Sequence, residues 1–224
     1  MMTHRGLFAN GIYGGRWNLN FSISPTDRVL DLGGGVNVYP YATDVIDKID
    51  ANEQRYNSEL QIGERKLWNG YAEEVLPTLP GKFFDFVYSS HTLEHTADLP
   101  FVLKELTRTC KRGFLVVPHY YMDIWNNGKS SCHNWLFAYD HQNDVLQYRR
   151  RLPHEFYETL CSVQPQVLDW KNPVAQGHKE HFYIRALWEI RCYWEDSIEY
   201  QENLSIFEES LYINEKINGG VNAE

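Results

Sequence analysis

No run of this chain is apolar for long enough to cross a bilayer as a helix, and the N-terminus, Met1-Met-Thr-His-Arg-Gly-Leu-Phe8, has no apolar signal core. A helical membrane protein is excluded, and a soluble, cytoplasmic one with no membrane partner is expected. Cysteine is scarce: Cys110, Cys132, Cys161 and Cys192 stand far apart with no C-x-x-C pair. That pattern argues against a zinc knuckle or a disulfide framework and for free thiols. Positive charge is in deficit, 21 Lys and Arg against 30 Asp and Glu, for a net charge of −9 and a pI near 5.5. Binding to nucleic acid depends on clustered cations at phosphates, so no such partner is expected. The one basic run, Arg149-Arg-Arg151, falls in an alternating strand-like segment and reads as a solvated edge.

Both common phosphate signatures are missing too. No Gly-Lys-Ser/Thr follows the glycines, and the G-x-G-x-x-G spacing is absent. What is present is Arg28-Val-Leu-Asp-Leu-Gly-Gly-Gly-Val-Asn37, a short buried strand over Arg28 to Leu32 running into Gly33, Gly34 and Gly35. Consecutive glycines after a parallel strand let the backbone turn at positive φ and come close to a ligand; a plain tight turn is the bland alternative. Asp31 faces the same junction. Pro40 rules out a long helix beginning at the glycines, so the helix N-terminus that usually holds a pyrophosphate is missing, and the site suits a ligand without phosphate.

Further segments follow in a telling order: Ala42-Thr-Asp-Val-Ile-Asp47, Gly70-Tyr-Ala-Glu-Glu-Val-Leu-Pro77, and Phe84-Asp-Phe-Val-Tyr-Ser-Ser-His-Thr-Leu-Glu-His95 continuing to Leu106-Thr-Arg108. Together with Asp31-Leu-Gly-Gly-Gly they resemble, over about residues 26 to 118, the class I S-adenosylmethionine-dependent methyltransferases of the type 11-like group. The resemblance implies S-adenosylmethionine as cofactor. It implies that Gly33 to Gly35 approach the methionine part, Asp31 helps hold its amino group, Asp47 receives the ribose hydroxyls, and Ala72 with Glu73 borders the adenine. Asn37 after the glycines, and Ser89 and Ser90 at the end of the fourth strand, complete the expected cofactor set. The chain departs from the pattern at Asn37, which replaces the usual third glycine, and in the helix after it, cut down to Val36-Asn-Val-Tyr-Pro40. Tyr71 stands where an adenine-contacting Asp is common.

Alternating strands and helices predict an α/β fold with a doubly wound, mostly parallel sheet, seven-stranded as in the family. The expected strands are Arg28 to Leu32, Ala42 to Asp47, Lys66 to Asn69, Phe83 to Tyr88, Gly113 to Val117, Gln166 to Trp170 and Phe182 to Tyr193, the last two antiparallel at the edge. Helices are expected over Ile49 to Ile62, after an Asp98 cap with Leu99, Val102, Leu103 and Leu106 facing the core, and over Pro153 to Leu160. An arm or lid over residues 1–25 precedes a methyltransferase domain over 26–195, and an acidic tail over 196–224 follows it. Within the domain an insertion over about 120–151 carries a turn at Asn126-Asn-Gly128-Lys129 and a hairpin, Asn134 to Tyr139 with Val145 to Arg149.

A hydroxyl acceptor needs a place for its proton, and His91, His119 and His133 are the candidate bases, with Asp123 to orient one of them. His95 reads as a structural residue capping the next helix. A pocket of Tyr120, Tyr121, Trp125, His133 and Trp135 suits a sugar ring, so O-methylation of a sugar or glycan hydroxyl is expected, with another small metabolite as the alternative acceptor. A homodimer is among the assemblies open to the chain. Two other classes compete. His91-Thr-Leu-Glu-His95 is a literal H-x-x-E-H, in which His91 and His95, one helical turn apart, would bind zinc while Glu94 activates water. No metal is otherwise expected. A non-catalytic module that keeps the cofactor fold is the other rival, and the presence of both Asp31 and Asp47 argues against it.

Overall fold

A computed structural model of the protein describes residues 21–35, 38–48, 62–120, 133–140, 142–151 and 189–204. Its strands are β1 Val29–Leu32, β2 Asp44–Asp47, β3 Lys66–Asn69, β4 Phe86–Ser90, β5 Arg112–Pro118, β6 Trp135–Asp140, β7 Val145–Arg150, β8 Glu189–Glu195 and β9 Tyr200–Glu202. Its α-helices are α1 Ala72–Val75, followed by a 3-10 turn at Leu76–Thr78, and α2 Leu99–Thr109, preceded by a 3-10 turn at Leu93–His95. The chain divides into two compact units, one reaching Val117 and including Ile190–Ile198, the other spanning Pro118–Glu189 and continuing from Glu199.

The first unit holds a sheet in the order β3-β2-β1-β4-β5-β8. The pairs β2/β3, β1/β2, β1/β4 and β4/β5 are all parallel. Strand order reverses between β1 and β4, and a sheet of this kind opens its ligand crevice at the carboxyl ends of the strands there. Six strands stand in this sheet among the described residues; the expected strand over Gln166 to Trp170 lies outside them, as do the expected helix over 153–160, all but the last residue of the helix expected over 49–62, the turn at 126–129 and the arm up to residue 20.

Val29-Leu-Asp-Leu32 and Asp44-Val-Ile-Asp47 are buried at every position, as parallel strands covered on both faces must be. β4 begins at Phe86, later than the apolar run suggests. Asp85 breaks it by accepting the Arg28 N–H at 2.8 Å and the Lys111 ammonium at 2.6 Å. On one face Val29, Tyr39, Ala42, Phe86, Tyr88, Phe114 and Val116 form a core, with Phe21 and Ile23 packed against it. The described part of the β1–β2 connection contains no helix; Tyr39 fills that place, its ring stacked on Tyr88 at 4.5 Å. α2 follows its sequence pattern: Asp98 accepts the Phe101 N–H at 3.0 Å, and Leu99, Val102, Leu103 and Leu106 are buried. Arg108 reaches back to the carbonyls of Leu79 and Leu76 at 2.8 and 2.9 Å and fastens α2 to the preceding turn.

Asp44 opens β2 at the end of the sheet away from the crevice. Burial pushes its carboxyl up, but hydrogen bonds from Arg28 (2.7 and 3.0 Å), Trp68 (2.9 Å) and Thr43 (2.8 Å) outweigh that and hold it below the usual carboxylate range. A lowered carboxyl stabilises the fold above its unfolded value of about 3.9, and that contribution is lost as pH falls through the folded value. Asp44→Asn is therefore expected to cost about 2 kcal/mol at neutral pH. Thermal melts followed downward in pH should show the gap from wild type closing below the carboxylate range.

In the second unit β6 and β7 form the expected antiparallel hairpin, registered from Trp135 opposite Arg150 to Asp140 opposite Val145. Asp140 accepts the N–H groups of Gln142 and Asn143 at 2.9 and 3.1 Å, the local chemistry of an Asx turn. Two features differ from the sequence reading. Tyr200–Glu202, placed there in the acidic tail, forms β9 and pairs in parallel with β7. Arg149, read as part of a solvated edge, is buried and donates to the Leu204 carbonyl at 2.7 Å.

Cys110 is a free, buried thiol, pushed up by burial to about 12, and Cys192 is also buried. Among the described residues no helix is long and apolar enough to cross a membrane, which leaves β-barrels untouched.

Candidate functional site

The crevice of the first unit is built where β1 ends. Gly33 still donates to the Ile46 carbonyl at 2.8 Å, extending the ladder to β2, and then turns at φ 73°. Gly35, at φ 55°, donates its N–H to Asp47 Oδ2 at 2.8 Å. Asp47 closes β2 and is 7% exposed, and its carbonyl accepts the Gly70 N–H at 3.1 Å. One residue thus holds the glycine loop with its side chain and the loop after β3 with its backbone.

The three glycines have different physical reasons. A Cβ on Gly33 would lie 2.0 Å from Thr92 Oγ1, and one on Gly34 would lie 2.8 Å from Asp31 Oδ2, so both are pressed by protein side chains. Among the described residues a Cβ on Gly35 would meet nothing nearer than 4.0 Å, so these residues leave space open at the last glycine, beside the Asp47 carboxylate. Asp31, also buried, accepts the Tyr39 N–H at 2.6 Å, which anchors the loop as it returns to the core.

The end of β4 closes the other side. Ser89 Oγ and Thr92 Oγ1 both donate to the Leu32 carbonyl, at 3.2 and 3.1 Å, and tie the β4 exit to the β1 exit. His91 follows Ser90 in the left-handed region, φ 54°, with its N–H bonded to the Val116 carbonyl at 2.9 Å. Ala72 is buried as the first residue of α1, and Tyr71 before it is exposed, with the Lys48 ammonium 5.4 Å from its ring centroid. Glu73 Oε1 accepts the N–H groups of Ala97 and Asp98 at 2.7 and 3.3 Å.

Of the expected cofactor residues, then, Gly33, Gly34, Gly35, Asp31, Asp47, Ala72, Glu73, Ser89 and Ser90 all lie in the first unit, at or just beyond strand ends. Asn37 and Asp123 are outside the described residues. His119 and His133 belong to the second unit. There His119 lies 4.5 Å from the Tyr120 ring centroid, and Trp135 meets Tyr148 edge-on at 5.7 Å. Tyr120, His133 and Trp135 are 6–8% exposed, and Tyr121 and Trp125 lie outside the described residues. The zinc reading of His91-Thr-Leu-Glu-His95 loses its premise. It requires a helix that puts both histidines on one face, whereas only Leu93–His95 turns, as a 3-10 turn, and His91 precedes it at positive φ. The cap assigned to His95 is made by Asp98. Sequence reading missed Thr92 and Tyr39; the small β-branched hydroxyl after a strand end and the aromatic just before Pro40 were the signals available.

The donor set fits a cationic ligand: two buried carboxylates at strand ends and, among the described residues, an open side at Gly35. Residues 30–117 match the family model described as a methyltransferase domain, an interval that runs from β1 through most of β5. Similar solved structures include the YcgJ protein from Bacillus subtilis, 22% identical, covering 48% of this chain and 54% of that one at a TM-score of 0.37. Another is an arsenic(III) S-adenosylmethionine methyltransferase from Chlamydomonas reinhardtii, 18% identical, covering 48% of this chain and 46% of that one at a TM-score of 0.36. The chain spans about half the length of these structures. No curated protein matches.

Proposed function

We propose that the protein is a class I S-adenosylmethionine-dependent methyltransferase that methylates a hydroxyl of a small molecule, a sugar or glycan being the acceptor tested first; the match of residues 30–117 to a family model described as a methyltransferase domain supports this reading. The observation that carries the reading is the Gly35–Asp47 contact, a carboxylate at the end of β2 held against an open glycine at the end of β1. S-adenosylmethionine is the cofactor; when bound it supplies a methyl group on a sulfonium, transferred in line to a nucleophile as the C–S bond breaks. The chain's own work is positioning. Asp47 would receive the ribose hydroxyls, the carboxylate of Asp31 would draw the amino group, and Gly35 leaves room for close approach. His91, at the β4 exit, is the candidate to take the acceptor's proton, which a hydroxyl must lose as its oxygen bonds to carbon.

The sugar reading is supported by the aromatic and histidine content of the second unit, with Tyr120, His133 and Trp135 near one another in sequence. Stacking a sugar ring needs an uncovered aromatic face, and the low exposure of these rings favours the second reading, another small metabolite. Incubation with S-adenosylmethionine and a panel of sugars, nucleotide sugars and hydroxylated metabolites, read as a mass gain of one methyl, separates the two. Failure of every acceptor, combined with no heat of binding for S-adenosylhomocysteine, would overturn the enzyme reading and leave the non-catalytic module.

A further inference from the structure

We propose that Glu94 is a positioning residue for His91: its carboxylate fixes the imidazole proton on Nδ1 and makes Nε2 the basic nitrogen. The inference rests on the functional reading above, in which His91 takes the acceptor's proton.

Glu94 is fully buried, 0% exposed, and neither of its oxygens makes a hydrogen bond in the structure. A buried carboxylate is costly unless a donor or a cation answers it. Within the first unit two imidazoles approach it. His91 Nδ1 lies 3.3 Å from Glu94 Oε1, and His95 Nε2 lies 3.9 Å from the same atom, beyond hydrogen-bond reach. The His91 contact is close but poorly aligned, which is common for such pairs before the reacting complex forms.

The backbone places His91 with care. A side-chain residue in the left-handed region carries a conformational cost and persists where its surroundings impose it. Here the His91 N–H is bonded to Val116, and Thr92 locks the next residue to Leu32 at the β1 exit. Since Thr92 also presses on Gly33, the imidazole sits one residue from direct contact with the glycine loop. An ordinary turn at this place would need neither the positive φ nor a buried acid three residues on.

The chemistry follows from the ring. A neutral imidazole carries one N–H and one lone pair, and an ionised carboxylate can only accept, so Nδ1 bears the proton and Nε2 the lone pair. As the acceptor oxygen gives its electron pair to the methyl carbon, the O–H proton moves to Nε2. The imidazolium so formed is stabilised by the Glu94 charge.

Long-range proton–nitrogen NMR of the full chain labelled with 15N-histidine tests this at about pH 8.5, two units above the ordinary imidazole value. The His91 signals are assigned by their loss in His91→Asn. Nδ1 is expected as the protonated nitrogen in the native protein. In Glu94→Gln and Glu94→Met the ratio of Nδ1–H to Nε2–H should fall about tenfold, as losing the attraction of a charged neighbour at Nδ1–H predicts. A native Nε2–H form, or a ratio unchanged in both variants, overturns the proposal; the native measurement decides even where a variant fails to fold. Calorimetry with S-adenosylhomocysteine on the same samples keeps the two readings apart. Binding with a native Nε2–H form sinks the pair alone, and Nδ1–H without binding sinks the enzyme reading while leaving the contact.

Discussion

Asp47→Ala is expected to lower the affinity for S-adenosylhomocysteine by about a hundredfold, as loss of about 3 kcal/mol of hydrogen bonding to a charged group predicts. The loss has two sources. The carboxylate proposed to receive the ribose hydroxyls is removed, and the Gly35 N–H that it holds at 2.8 Å is released, so the loop at the β1 exit is no longer fixed there. Asp47→Asn keeps an oxygen for Gly35 but loses the charge and one acceptor, and an intermediate loss of about tenfold is expected. Titration calorimetry reads both. Thermal melts separate a lost ligand contact from a lost fold, because Asp47 closes a strand whose backbone pairing with β1 and β3 does not depend on its side chain. An alanine variant that binds as tightly as wild type would mean that the carboxylate serves only the glycine loop, and the cofactor would have to be placed elsewhere.

β2 also indicates what a sequence can reveal. Asp44-Val-Ile-Asp47 has an acid at each end, and its apolar middle and burial are legible from composition alone. The division of labour is not. Asp44 is a structural acid because Arg28 and Trp68, 16 and 24 residues away, converge on it, whereas Asp47 faces the glycine loop. The β1 exit, the Asp98 cap and the β6–β7 hairpin were readable because their determinants are local: glycines after a strand, an acid three residues before an amide, a turn rich in Asp and Asn. Tyr39 was not, since nothing in Val-Tyr-Pro says that a ring will take the place of a helix against Tyr88. Arg149 and β9 were misread for the same reason, their partners being Leu204 and a strand more than fifty residues earlier in the chain. Glu94 was legible as a residue but not as a neighbour. The spacing that suggested a helical zinc motif describes a 3-10 turn, and only the fold brings the carboxylate to the His91 ring.

Gly33→Ala is expected to be the most destabilising single substitution in the crevice, by about 2–5 kcal/mol, combining the left-handed backbone cost with overpacking. Gly33 is held at φ 73°, and an added Cβ would fall 2.0 Å from Thr92 Oγ1, 2.4 Å from Thr92 Cγ2 and 2.7 Å from Thr92 Cβ. Thr92 is a poor candidate to move, because its hydroxyl is fixed on the Leu32 carbonyl at 3.1 Å and the following residues enter a buried turn. Removing the two nearest atoms should therefore recover part of the loss. In a double-mutant cycle, Thr92→Ala in the Gly33→Ala background is expected to relieve the packing component while the backbone component and the contact with Thr92 Cβ remain. Denaturant melts of the four proteins measure this coupling. Full additivity would mean that the two side chains do not meet, and the link drawn here between the β1 exit and the β4 exit would fail. A positive coupling would place the glycine loop and the His91 turn in one mechanical unit, so that a change in the loop is felt directly at the residue next to the candidate base.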